Sequence, residues 1–190
     1  MKILWLDTET TGLNKEKCDI IQLSGIVVID GEERERFDFH CQPINYENIE
    51  PASFEKTKLS IEKLKEFQTP QEMYVKFIQL LDKYIDKYDR NDKFFIAGQN
   101  VRFDVEFLQS FFNKMGDQFL FSYFRHQTID LMYFCTILHT AGLIKLDNFR
   151  LETIVEYLDV KFEGDLHNAF TDVDLTRKCF CKLFKDFIKF

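Results

Sequence analysis

The sequence predicts a mixed α/β sheet covered by helices, and three observations carry that reading. Strand-like runs joined by turn signals open the chain, helical periodicity dominates the remainder, and short apolar runs interrupt the helices. Lys2 to Leu6 is an apolar run that stops at Thr8-Glu9-Thr10-Thr11-Gly12, as a buried strand does when it enters a turn. Ile20 to Ile29 reaches Asp30-Gly31, a strong hairpin signal, and Arg34 to Phe39 then alternates charged with apolar residues. The expected start is a three-stranded antiparallel meander.

From Asn45 to Phe67 single apolar residues are scattered among Lys and Glu, which predicts a surface connection with a short helix and no chemical motif. Thr69-Pro70-Gln71-Glu72 combines a capping threonine, proline at the first helical position and the glutamate of a capping box. Met73, Phe77, Leu80, Leu81, Tyr84 and Tyr88 follow it at helical spacing, so this helix should lay one stripe on the sheet. Phe94 to Ala97 reads as a short buried strand, followed by a helix carrying Phe107, Leu108, Phe111 and Phe112. A strand and helix are expected within Gln127 to Thr140, a helix over about Asn148 to Leu158, and a last helix from near Asn168 to Phe187. That last helix should bury Val173, Thr176, Phe180, Leu183, Phe184 and Phe187. There is no repeat and no linker-like composition break, so one domain is expected across residues 1–190.

Composition narrows the class. The chain is 45% hydrophobic and 30% charged, with 16% aromatic residues, 22 Phe, seven Gly and three Pro, which excludes a disordered or low-complexity protein and points to a Phe-filled core. A formal net charge of −7 supplies no global positive field, arguing against a generic nucleic-acid-coating protein. No apolar run approaches the ~20 residues of a membrane span, and Asp7 arrives too early for a signal peptide. The expected location is cytoplasmic, with no membrane partner.

Cys18, Cys41, Cys135, Cys179 and Cys181 are odd in number and lack CxxC spacing, which argues for reduced core thiols and against disulfides or zinc. His40, His126 and His139 have no neighbouring ligand cluster and read as ordinary imidazoles. His167 is different because of the acids around it.

Asp7 and Glu9 are two apart at the end of the first strand, so their carboxylates project from one face. Such a pair repels unless a cation lies between, and oxygen ligands without Cys or His suit Mg²⁺ or Mn²⁺. Asp104 lies in the first turn of a helix just past a buried strand, where the helix dipole alone would favour an acid, with Asn100 in the preceding turn and Phe103 beside it. In His167-Asn168-Ala169-Phe170-Thr171-Asp172, positions five apart on one helix are about 140° out of register. His167 is therefore expected on the loop or first turn before the helix that holds Asp172, with Glu163 to Leu166 as a mobile loop. Asp165 and Asp174 lack the required spacing.

Together the three segments resemble the DEDDh branch of the DnaQ-like 3′→5′ exonucleases, along essentially the whole chain. That family's motifs are D-x-E-T-T-G-L, H-N-x-x-F-D and H-x-x-x-x-D, matched here by Asp7 and Glu9, by Asp104, and by His167 and Asp172. Gln99 stands where the second motif often has His, a position outside the five defining residues that bears on selectivity. The resemblance implies an RNase H-like mixed five-stranded sheet, three antiparallel strands then two parallel, flanked by helices. It implies that Asp7, Glu9, Asp104 and Asp172 hold two divalent cations, Mg²⁺ or Mn²⁺, about the scissile phosphate, with His167 as general base. Thr10, Leu13 and Asn100 are implied to meet substrate, Leu13 as an apolar wedge against a base.

The implied activity removes nucleoside 5′-monophosphates from the 3′ end of single-stranded or frayed nucleic acid, DNA favoured over RNA. Exoribonuclease or oligoribonuclease-type trimming is the nearest alternative. A non-catalytic nucleic-acid-binding or polymerase-associated scaffold subunit is opposed by the presence of all five expected residues, and a nucleotide-binding domain by the lack of a glycine-rich phosphate loop. A polymerase or other protein partner, and monomer or homodimer, stay open at this level. Bound cations would offset the acidic count, and Lys56, Lys58, Arg102, Arg177 and Lys178 are candidates for local attraction, each with solvated surface as its ordinary role.

Overall fold

The computed structural model describes residues 1–162 and 168–187, apart from the side chains of Ser53, Asp186 and Phe187. Strands β1 (Lys2–Thr10), β2 (Ile20–Ile29) and β3 (Glu32–His40) form the expected meander. Asp30 and Gly31 both take positive φ, 52° and 84°, the geometry a two-residue hairpin of matching twist requires. Next come two short helices, α1 (Pro51–Phe54) and α2 (Ile61–Glu66), and then α3 (Pro70–Tyr84). The rest is β4 (Phe94–Gly98), α4 (Val101–Lys114), β5 (Phe124–Asp130), α5 (Leu131–Thr140), α6 (Leu151–Tyr157) and α7 (Ala169–Phe187).

The sheet order is β3-β2-β1-β4-β5. β1 to β3 pair antiparallel, whereas β4 pairs parallel to β1 and β5 parallel to β4. Central β1 thus has a neighbour on both sides, and its alternation sorts side chains between two cores. Leu4 and Leu6 join a large core with Phe77, Phe94, Phe107 and Phe112, built largely from α3 and α4. Trp5 joins Ile26, Ala97 and Val173 on the other face, its ring 5.3 Å from that of Phe180 on α7. A further cluster packs α5, α6 and α7 together through Leu131, Cys135, Ile154, Leu175, Cys179 and Leu183. Five of the phenylalanines, Phe77, Phe94, Phe107, Phe112 and Phe124, are fully buried, so the aromatic excess does fill the core.

Several boundaries differ from expectation for physical reasons. The first strand continues to Thr10, because β2 offers it partners as far as Ile20 across a bulge between Glu9 and Thr10. The capping box at Thr69 and Glu72 forms as predicted, but α3 ends at Tyr84, leaving Tyr88 beyond the helix and 89% exposed. α6 begins at Leu151, three residues later than expected, because Asn148 Oδ1 accepts from Arg150 N in a turn. Four cysteines are buried; Cys181 is exposed and leaves the core set. Among the described residues no helix is long and apolar enough to cross a membrane.

Candidate active site

The alternation of β1 also builds the site. Residues 3, 5, 7 and 9 share the face covered by α7, and residues 4, 6, 8 and 10 share the opposite face. Asp7 and Glu9 therefore approach Asp172 in the first turn of α7, and carboxylate oxygens of all three lie within 4.8 Å of one another. Thr8, on the other face, meets Asp104: its N and Oγ1 donate to Asp104 Oδ1 at 2.9 and 2.8 Å. Asp104 is 3% exposed and is not part of that 4.8 Å group.

Like charges held this close repel, and burial adds to the penalty. Burial, followed by Asp104, Asp172 and Glu9, pushes Asp7 well above the usual carboxylate range. Glu9 is raised to about 8, chiefly by burial and by Asp172 and Asp104, while Lys56 acts against that rise. Burial likewise lifts Asp104 to about 7, against the hydrogen bonds from Thr8 that favour its charged form. Oxygen-only donors poised to share positive charge fit a hard divalent cation such as Mg²⁺ or Mn²⁺, and Asp7, Glu9 and Asp172 are the groups placed to hold one.

The cluster opens into a cleft of about 630 Å³. Asp7, Asp172, Lys56, Gln99, Asn100 and Arg150 are among the residues that line it. Asn100 is exposed in the left-handed conformation, φ 55°, at the turn into α4. Gln99 donates Nε2 to Phe149 O at 2.7 Å, which ties the β4–α4 turn to the segment before α6.

The turn after β1 is fixed from outside. Thr10 is 7% exposed, and its hydroxyl donates to Gly12 O at 2.7 Å. Leu13, by contrast, is 73% exposed, with its N donating to Glu50 Oε2 at 3.0 Å. A Cβ on Gly12 would meet Glu50 Cδ at 2.4 Å and Cys18 Sγ at 2.5 Å, so only glycine fits beneath this clamp. The connection after β3, in which the sequence showed no motif, thus holds the motif's own turn.

Asp130, in the Ile129-Asp130-Leu131 stretch, is no motif residue but frames the site. Its carboxylate accepts from Asn100 N at 3.1 Å, Val101 N at 2.9 Å and Met132 N at 2.8 Å, joining the starts of α4 and α5. An acid directly before an apolar helix was the available signal. Asp174 is bound to Arg36 and Lys178, in keeping with its exclusion from the motif. His167, with Glu163, Gly164, Asp165 and Leu166, lies outside the described residues. His40, His126 and His139 lie against Phe67, Phe121 and Phe149, respectively.

Known proteins share this architecture. The 3′-5′ exonuclease DinG of Bacillus subtilis is 26% identical over 94% of this chain and 17% of its own length. A PolC-type DNA polymerase III of Halalkalibacterium halodurans is 25% identical over 95% of this chain and 11% of its own. The chain therefore spans less than a fifth of either relative. Escherichia coli exonuclease I, solved with a dT13 oligonucleotide, superposes with a TM-score of 0.78 at 20% identity, over 97% of this chain and 41% of that one. Cell-death related nuclease 4 superposes with a TM-score of 0.77 at 18% identity, over 98% of this chain and 64% of that one. These likenesses establish the RNase H-like fold. The family model described as Exonuclease (RNase_T) matches residues 4–180, so the chain belongs to this exonuclease family, which is DnaQ-like and part of the RNase H-like superfamily.

Proposed function

We propose that residues 1–190 act as one DEDDh-type exonuclease domain that removes nucleoside 5′-monophosphates from the 3′ end of single-stranded or frayed DNA. The observation that carries the reading is the meeting of Asp7, Glu9 and Asp172, from a strand and a helix far apart in sequence, within 4.8 Å at the wall of an open cleft. A fold has no structural use for three repelling, half-buried carboxylates, whereas a metal-dependent phosphodiesterase requires them.

In this proposal Asp7, Glu9, Asp104 and Asp172 hold two divalent cations, Mg²⁺ or Mn²⁺. Cations held there would lower the pKa of a water and neutralise charge developing on the phosphate. His167 takes the proton from that water, imidazole being the side chain suited to proton exchange around neutral pH. Thr8 keeps Asp104 oriented through two hydrogen bonds. Asn100 and Arg150, on the cleft wall, offer hydrogen bonds and positive charge to the nucleotide backbone. Leu13, exposed and anchored by Glu50, presents an apolar surface to a terminal base, and Thr10 supports the turn that carries it.

DNA is favoured because the relatives include PolC-type DNA polymerases and exonuclease I has been solved with dT13 and dA16 oligonucleotides. The polymerase relatives also support a polymerase as protein partner. Matched single-stranded DNA and RNA of one sequence, digested in parallel with Mg²⁺ or Mn²⁺, test the substrate. Faster loss of DNA is expected; faster loss of RNA would make the chain an RNA-trimming enzyme.

A further inference from the structure

Five cations were candidates for drawing substrate in, and the structure separates four of them. Arg102 is paired with Glu106 at 2.9 Å, Arg177 with Glu33 at 2.7 Å and Lys178 with Asp174 at 2.6 Å. Those three hold the scaffold's own acids. Lys56 instead lines the cleft with Asp7 and Asp172, and its charge is felt at Glu9.

Its backbone is held in place. Lys56 sits in a 3₁₀ turn, Glu55–Thr57, closed by Lys58 in the left-handed conformation at φ 56°. Thr57 Oγ1 donates to Phe54 O at 2.8 Å and accepts from Leu59 N at 3.3 Å. A few residues upstream, Glu50 N donates to Thr11 O at 2.8 Å and the Glu50 carboxylate holds Leu13 N. The segment that carries Lys56 is thus bonded to the turn that continues directly from Glu9.

Charge balance gives this placement a use. Four carboxylates and two divalent cations would cancel, and a phosphodiester then adds a negative charge that arrives with substrate. An ammonium lining the same cleft offsets charge that arrives only with substrate.

We propose that Lys56 is a substrate-binding residue whose ammonium donates to a non-bridging oxygen of the scissile phosphodiester. This rests on the nuclease reading above. It also makes the connection between β3 and α3 a wall of the substrate site.

The test compares the wild type with Lys56→Gln and Lys56→Arg on two substrates: 5′-labelled oligothymidylate and p-nitrophenyl thymidine 5′-monophosphate, which contains a single phosphodiester. Binding of thymidine 5′-monophosphate is measured by calorimetry with Mg²⁺ present, and folding by thermal melting. Lys56→Gln should lower kcat/KM about 10- to 100-fold on both substrates and weaken nucleotide binding about tenfold, as loss of a charged hydrogen bond does. Lys56→Arg should restore most of each, and the melting temperature should not move. A loss on the oligonucleotide alone would overturn the proposal, because Lys56 would then meet a different phosphate; so would unchanged nucleotide binding. A wild type inactive on both substrates, with nucleotide binding that still depends on Lys56, would sink the nuclease reading while supporting the phosphate contact.

Discussion

Thr8 and Asp104, 96 residues apart, are joined twice, since the backbone N and the hydroxyl of Thr8 both donate to Asp104 Oδ1. These bonds favour the ionised carboxylate against the burial that lifts it to about 7. Thr8→Val keeps the shape and removes one donor. Asp104 should then ionise at higher pH, so the Mg²⁺ needed for half-maximal cleavage at pH 7 should rise about tenfold, a change worth ~1.4 kcal/mol and within the range for a charged hydrogen bond. The increase should shrink toward pH 9, where Asp104 ionises in both proteins. Mg²⁺ titrations of cleavage at the two pH values measure this.

Asp7 and Asp172 set function against stability. Asp7→Asn or Asp172→Asn should lower metal-dependent cleavage by about 10³-fold or more, because each removes charge from the metal-holding set. Each also removes a member of a repelling cluster, so the metal-free protein should melt at the same or a higher temperature at pH 8. His167→Ala should instead lose about 10²- to 10⁴-fold in turnover while metal-dependent DNA binding persists. Turnover and melting measured on the same preparations separate the two kinds of residue.

The raised Glu9 pKa fixes a direction for pH dependence. With an ordinary value of 4.5 raised to about 8, the native metal-free protein keeps a proton that the unfolded chain has released between those values. Stability without metal should therefore fall as pH rises through that window. Acids held below their ordinary range, such as Glu33 by Arg36 and Glu35 by Lys83, lose their contribution only at lower pH and do not mask the trend. Melting in EDTA should shift downward from about pH 5 to pH 8, Glu9→Gln should flatten the slope, and saturating Mg²⁺ should reverse it. A metal-free melting temperature that rises over this range would contradict the assignment.

Asp130 joins two helix starts through three backbone donors. Asp130→Ala should cost about 1–4 kcal/mol, the sum of two lost caps, measured by urea unfolding. Activity should fall as well, since α4 carries Asp104 and its preceding turn carries Asn100.

How much was legible in the sequence depends on how far apart the interacting residues are. The hairpin at Asp30-Gly31 and the capping box at Thr69 and Glu72 are local, and both are found where the residues place them. Asp7 and Glu9 share a face because strand geometry alone requires it. By contrast, the bonds from Thr8 to Asp104 and from Glu50 to Leu13 depend on packing between distant segments, which no local pattern encodes. Lys56 is one of five cations that the sequence offers for local attraction, and only the fold sets it on the cleft wall. Tyr88 shows the opposite failure, since it matched the helical period but lay past the end of the helix.

The most direct measurement is digestion of a 5′-labelled single-stranded DNA by the full chain with Mg²⁺ or Mn²⁺, with EDTA and Asp7→Asn as controls. A metal-dependent 3′-5′ exonuclease should give a ladder shortening one nucleotide at a time from the 3′ end, release of nucleoside 5′-monophosphates, and no cleavage in either control. Discrete internal cuts, or a ladder that persists in EDTA, would contradict it.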